Sequence, residues 1–476
     1  MSQATVLELT SPGPSVRLRI ADLLSKGIFA LLLMLIILAA IPYGTFEPWW
    51  KSAFVCMIFF LAILAIIEAL LSEAMKPLVG RSVIAPMLTL TLFAYIQTIS
   101  FSSATVGPAL NLVSWNSISA DPYSTRFVVL QLLALTIVLA LLYRYSRSAS
   151  RIQILIYVIL AVAVASSIFG ILRQTMQREP GFVLPLTKPD QGYGQFLNKN
   201  HFAFMMEMAL GLGLGTILAG GVRRERSMIY VALLLPVWMA LVLSNSRGGV
   251  LAMLAQVLIA AFVLMSVFAS ATTNLRESRL VTVARSFLFR AIVIVALLCG
   301  LLIGTAWVGG DRLLGSFEAA HSELNPNSSG LNEGATRNEI WRATLRMFAA
   351  HPVLGVGLGG YWIAITRYHD ASGMLTPQEA HNDYLELLSG GGIVGFAIGI
   401  WFAWAVFKRA QKNLSSSDPF QRSVCFGALL GIAGVAVHSL VDFGLHMFAN
   451  ALIFLALIMM ATSKIESQNE VVPSKH

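Results

Sequence analysis

Three residues of this sequence resist explanation as ordinary side chains of an apolar chain: Arg247, Arg337 and His381. Arg247 stands in Ser244-Asn245-Ser246-Arg247-Gly248-Gly249, between two apolar runs that leave almost no loop. A guanidinium at that depth is costly unless an anion such as a phosphate offsets it, and the flanking glycines allow close backbone approach. Snorkelling to lipid headgroups is the competing explanation. Arg337 follows Thr336 in Thr336-Arg337-Asn338-Glu339, a capping box that predicts a helix running to a stop at His351-Pro352. A cation in a first helical turn is disfavoured by the dipole, whereas an anion bound there gains from the free N–H groups and from the arginine. His381 lies between Glu379 and Asp383 and belongs to the residue type that exchanges protons near neutrality. Together the three suit a phosphate-bearing ligand beside a proton acceptor.

The elements that must position them are membrane helices. The 476 residues are 57% hydrophobic and 12% charged, with a mean hydropathy of +0.74, which describes a bilayer-embedded bundle and excludes a set of soluble domains. Apolar runs near 27–44, 53–72, 83–100, 127–143, 152–172, 201–220, 229–245, 249–271, 291–309, 389–407, 424–441 and 447–463 predict an all-α integral membrane protein of about twelve spans. The first run reads as a retained helix, since no small-residue cleavage site follows it. The predicted organisation is nine spans over 1–309, a loop over 310–388, three spans over 389–463 and a tail over 464–476.

Placing the N-terminus in the cytoplasm puts Lys76, Arg81, Arg144, Arg147, Arg151, Arg223, Arg224, Arg226, Arg276, Arg279, Arg285, Arg290, Lys408, Arg409, Lys412 and Arg422 in cytoplasmic loops, and Lys464 and Lys475 in a cytoplasmic tail. Most of the positive charge behind the net +9 is thus explained by topology and not by nucleic acid. The cations left on the opposite face are Arg173, Arg178, Lys188, Lys199, Arg247, Arg312, Arg337, Arg342, Arg346 and Arg367, a clustering that suggests an anionic ligand there.

The remaining polar features read more plainly. Thr376-Pro377-Gln378-Glu379 predicts a second capped helix through Leu388, ended by Ser389-Gly390-Gly391-Gly392, with His381 just over one turn in and Leu385 and Leu388 on its side. Gly355-Val356-Gly357-Leu358-Gly359-Gly360 matches GxGxxG by letter, but no strand or βαβ unit surrounds it, so a packed turn is expected and a dinucleotide site is not. His438, Asp442 and His446 are spaced for one helix face, where bonding between helices explains them better than a metal. Asn198, Lys199, Asn200 and His201 open an apolar helix, capping it or lining an acceptor site. Cys56, Cys299 and Cys425 lie in apolar runs and predict neither disulfides nor a thiolate metal site.

Taken in order, these motifs resemble the bacterial O-antigen ligase and O-antigen polymerase superfamily. Ser246-Arg247-Gly248-Gly249 looks like its first essential arginine and Arg337-Asn338-Glu339-Ile340-Trp341 like its second. His351-Pro352-Val353-Leu354-Gly355-Val356-Gly357 resembles its turn after that helix, and His381-Asn382-Asp383-Tyr384-Leu385 with Gly391-Gly392-Ile393-Val394-Gly395 its histidine motif. The motifs cover about 200–410. The resemblance implies a GT-C-like membrane glycosyltransferase with a large helical periplasmic loop, in the bacterial inner membrane. It implies glycan transfer from an undecaprenyl-pyrophosphate-linked oligosaccharide donor to a glycan acceptor, without metal or other cofactor. His381, Arg337 and Arg247 are then the expected catalytic residues, while Arg342, Arg346, Arg367, Asn382, Asp383 and Lys199 are expected to contact substrate.

The acceptor stays open between a lipid A-core sugar, a second lipid-linked repeat and a protein hydroxyl. From a different class, a transporter or flippase of lipid-linked saccharides would favour repeated halves and charge pairs at mid-membrane; neither is visible in the sequence.

Overall fold

The computed structural model describes residues 16–72, 79–100, 116–189, 191–271, 337–370 and 376–466, and among them every element is helical. The helices are α1 (Val16–Ala40), α2 (Pro48–Leu71), α3 (Arg81–Gln97), α4 (Pro122–Tyr145), α5 (Ala149–Met176), α6 (Lys199–Leu218), α7 (Arg224–Leu243), α8 (Arg247–Ala271), α9 (Arg337–Ala350), α10 (Asp383–Leu414), α11 (Pro419–His438) and α12 (Phe448–Thr462). Among the described residues eight helices are long and apolar enough to cross a membrane, with α12 and the stretch Arg247–Val263 of α8 as shorter apolar helices. Each apolar run of the sequence falls on one of these helices except 291–309, which lies outside the described residues, as do Asp311–Gly334, Arg312, Thr336 and Cys299. Large apolar side chains such as Ile66, Phe262 and Trp404 point outward, as lipid-facing surface requires.

The core is built around α6, which is buried on nearly all sides. Gly211 and Gly215, one turn apart, face Gly431 and Gly427 of α11, and a Cβ on Gly215 would lie 2.3 Å from the Gly427 Cα. Such small-residue seams let two backbones touch in a medium that offers no hydrophobic driving force between helices. Within the seam, Glu207 Oε2 and His438 Nδ1 lie 2.8 Å apart, both side chains 0% exposed, and Phe204 stacks on the imidazole at 4.0 Å. A carboxylate and an imidazole thus meet inside the spans, a contact that the sequence did not show. The partners stand far apart in sequence, so spacing could not reveal them.

α10 departs from its predicted form. It begins at Asp383, six residues after Pro377, and its first segment stops in the expected Ser389-Gly390-Gly391-Gly392 stretch, where a non-helical Gly392 joins it to a second helical segment. The glycines make a kink: Gly392 has φ of +61° and ψ of −164°, and a Cβ on it would lie 2.3 Å from Val353 O. The GxGxxG stretch packs into that kink, as the expected tight turn. Val356 N–H donates to Ser389 O at 3.0 Å and Gly357 N–H to Gly390 O at 2.9 Å, and Gln97 Nε2 donates to Leu354 O and Gly390 O. Carbonyls released by the kink are thereby satisfied inside the bundle, and the loop bearing α9 is fixed to α10.

The two ends of the bundle differ in charge. At one end Arg144 pairs with Glu68 at 2.6 Å, Arg147 pairs with Glu466, and Arg409 donates to Thr462 O. The other end gathers the starts of α6, α8, α10 and α12, the end of α11, and α9.

Candidate active site

At that second end two of the three expected catalytic residues, Arg337 and His381, converge on Asp442, in the turn after α11, its side chain 1% exposed. Arg337, the first residue of α9, brings Nη2 to 3.6 Å from Asp442 Oδ2. His381 brings Nδ1 to 3.7 Å from Oδ1, and His201 Nε2 lies 4.0 Å from the same oxygen. The amide of Asn200 donates to Oδ2, and its own Oδ1 accepts from Ser246 Oγ at 2.8 Å. Ser246 precedes Arg247, which opens α8 half-buried. The next residue, Gly248, packs so tightly that a Cβ would lie 2.4 Å from His438 Nε2. Burial opposes the charge on Asp442, but contact with His381 and the neighbouring His201 outweigh it and hold the carboxyl well below its usual range. The centre is therefore a fixed carboxylate between a cation and two imidazoles.

The local chain explains how His381 reaches it. The capping box at Thr376 does not start α10; Asn382 does, its Oδ1 accepting from the N–H groups of Tyr384 and Leu385 at 3.0 Å. Tertiary packing overrides the first signal: Trp341 Nε1 donates to Ala380 O at 3.0 Å, and Ala380 is buried with Ala343, Met347 and Ile365. His381 thus sits just outside the helix, with φ of +49°, a conformation that a non-glycine residue holds only where its surroundings impose it. Its ring meets Phe443 edge-on at 4.9 Å, and so does His201 from another side.

The other predicted contacts divide. Asn382 is occupied by capping and by a 2.8 Å bond from Nδ2 to Leu440 O, so it braces the Asp442 turn. Asp383 accepts from Ser439 Oγ at 2.6 Å and lies 3.8 Å from His446 Nε2. Arg342 and Arg346 are on the exposed side of α9, with Arg346 donating to Tyr368 O at 2.6 Å, and Arg367 is exposed in the turn Ile365–Arg367. None of these three arginines touches Asp442 among the contacts described. Lys199 is exposed at the head of α6. Arg173, one of the stray cations, is buried and spent on structure: it donates to Gln177 Oε1 and to the carbonyls of Gly194, Lys188 and Gln191.

His438, Asp442 and His446 do not share a helix face. α11 ends at His438, and the chain then turns, with Gly444 packed on Phe204. His438 faces Glu207, Asp442 the arginine side, and His446 a set of carboxylates on the far side of Phe443. There Glu379 Oε2 is 3.5 Å from His446 Nδ1 and Glu386 Oε1 is 3.7 Å from Nε2. Burial disfavours the imidazolium, but Glu386 and Glu379 prevail and raise its pKa to about 10. Glu379, Glu386 and His446 bring one potential ligand atom each within 4.8 Å of one another. The same three residues make the imidazole–carboxylate contacts just described. A cavity of about 420 Å³ opens beside it, lined also by Lys51, Trp362 and Asp383.

Asp442 and Asn200 are the residues that sequence reasoning undervalued. The available signal was a carboxylate in an apolar stretch, at the same predicted face as the stray arginines.

Residues 229–400 match a family model described as O-antigen ligase. No curated protein matches the chain at a significant level. The matched stretch holds Arg247, Arg337 and His381, whereas Asn200 and Asp442 are supplied from outside it. That match, set in an all-helical membrane bundle, supports the O-antigen ligase and polymerase superfamily.

Proposed function

We propose that this protein transfers a glycan from an undecaprenyl-pyrophosphate-linked donor to a sugar hydroxyl, without metal and with inversion at the anomeric carbon, at the periplasmic face of the inner membrane. The family match supports activity of the O-antigen ligase or polymerase type. The observation that carries the mechanism is the approach of Arg337 and His381 to one buried carboxylate, 3.6 and 3.7 Å from Asp442.

In this reading the acceptor oxygen attacks the anomeric carbon as the bond from that carbon to the pyrophosphate oxygen breaks, and the electron pair leaves with the pyrophosphate. Arg337 and Arg247 bind the charge that builds on the leaving group, which lowers the barrier because the interaction strengthens in the transition state. His381 takes the acceptor proton on Nε2, since Nδ1 faces Asp442, and the carboxylate favours the imidazolium that results. A gap of 3.7 Å suits a contact that tightens once substrate is bound. The acceptor enters from the carboxylate-lined cavity across Phe443, where Trp362 and Glu379 offer a ring face and hydrogen-bond acceptors for a sugar.

The test uses purified protein in nanodiscs with undecaprenyl-pyrophosphate glycan and either a lipid A-core or a lipid-linked acceptor. Wild type is expected to form product in the presence of a chelator, and His381→Ala and Arg337→Ala to lose at least about 10²-fold. Undiminished product from both variants would sink the site assignment. Product that requires added divalent cation would overturn the metal-free step, and movement of lipid-linked glycan across the bilayer without product would favour the transporter reading.

A further inference from the structure

Glu207 on α6 and His438 at the end of α11 meet inside the spans, Oε2 and Nδ1 2.8 Å apart, and neither side chain reaches solvent. Ionisable groups at such depth are costly, and membrane proteins keep them where they serve function. Stability does not account for the pair, since apolar residues of similar volume often replace a buried pair at no cost. Its role must pass through what it touches.

His438 touches both halves of the site. Its ring is held between Phe204, stacked at 4.0 Å, and Gly248, where a Cβ would lie 2.3 Å from Cδ2 and 2.4 Å from Nε2. Gly248 follows Arg247 in the first turn of α8, so the imidazole sets how closely that turn approaches α11. The carbonyl of His438 accepts from the N–H groups of Val441 at 2.9 Å and Asp442 at 3.1 Å, so the same residue holds the turn that carries the central carboxylate. Glu207 decides which way the ring faces: with Nδ1 drawn to its carboxyl, Nε2 is left toward α8. α6 extends the contact. Ala203, one turn before Glu207, meets Gly249, where a Cβ would lie 2.7 Å from its own. Gln256 of α8 donates through Nε2 to Glu207 O at 2.9 Å and to Leu430 O of α11 at 3.0 Å. The three helices are thus pinned to one another next to Arg247 and Asp442.

We propose, on the glycosyl-transfer reading, that Glu207 and His438 are positioning residues: they touch no substrate, and they set the spacing between Arg247, which binds the leaving pyrophosphate, and Asp442, which orients His381 and Arg337. A misplacement of about 1 Å at a reacting group costs on the order of 10²-fold in rate. A couple packed one residue from Arg247 and hydrogen-bonded to the Asp442 backbone therefore governs turnover without reaching the reacting atoms.

Turnover per folded molecule and affinity for inorganic pyrophosphate, both measured on the full-length protein in nanodiscs, test it. Gly248→Ala and His438→Ala are each expected to lower both about tenfold or more. The double variant should fall no further than the worse single, within about twofold, because ring and Cβ contend for one space. Glu207→Leu, which removes the bond at similar volume, should match His438→Ala, while Glu207→Gln, which keeps a hydrogen-bonding partner for Nδ1, should stay within about threefold of wild type. Losses that multiply to about 10²-fold in the double variant, or a Glu207→Leu variant as active as Glu207→Gln, would overturn the proposal. So would losses confined to folded yield with turnover per folded molecule unchanged, which would make the pair merely structural. No product from wild type with any acceptor would instead count against the reaction reading and leave the pyrophosphate affinities of the same variants to decide how Arg247 is placed.

Discussion

Asp442 has one carboxylate to serve several partners. In the proposed mechanism it orients His381 and Arg337 without touching substrate, so it acts as a positioning residue. Asp442→Asn keeps the shape and removes the charge. Turnover is expected to fall on the order of 10²-fold while the apparent melting temperature and the donor KM change little, and Asp442→Glu should restore part of the rate. A parallel fall in melting temperature would assign Asp442 to folding instead. On the other side of Phe443, His446 offers a pH test. An imidazole raised to about 10 contributes its full stabilisation below the ordinary histidine range and loses it as pH climbs toward 10. The melting temperature of wild type is expected to drop between about pH 7 and 10, and His446→Gln to start lower and drop less. An equal slope in the two proteins would refute the ion-pair account.

The helices position these side chains by close backbone contact more than by side-chain bulk. α6 meets α11 along glycines, and α10 bends where Gly392 adopts angles that only glycine tolerates. Gly392→Ala should cost about 1–3 kcal/mol from the backbone and press on Val353 O besides. Gly391→Ala is the matched control, since its Cβ would make only ordinary contacts from 3.5 Å outward. Reduced folded yield in Gly392→Ala with a normal Gly391→Ala is the expected pattern; equal behaviour would mean that the kink does not hold the fold. Seam and kink together bring the heads of α6 and α10 to Asp442. α9 is held differently, by Trp341 on Ala380 and by Thr344 Oγ1 and Tyr361 Oη at 2.7 Å.

For the whole molecule, the basic residues at the Arg144 end and the site at the other end support an orientation with the site facing outward from the cytoplasm. Single cysteines introduced by Trp362→Cys and Ser416→Cys, in a background lacking Cys56, Cys299 and Cys425, test it in spheroplasts. A membrane-impermeant maleimide is expected to label the former and spare the latter; the opposite pattern would reverse the orientation and place the reaction in the cytoplasm.

Sequence alone determined the membrane class and nearly all of the helix positions, because apolar length is a local property that the bilayer demands of every span. It also isolated Arg247, Arg337 and His381, since cations on a disfavoured face and capped helix starts are read from short stretches of chain. It misplaced the start of α10, where the Thr376 box was the nearer signal and burial of Ala380 against α9 decided for Asn382. It took His438, Asp442 and His446 for one helix face, since nothing local announces that α11 stops at His438. It gave no warning of the Glu207–His438 pair or of Asn200 as a bridge from Ser246 to Asp442. Those partners come from helices distant in sequence, and a carboxylate's meaning depends on which charges the fold brings to it. Only the tertiary structure could choose them.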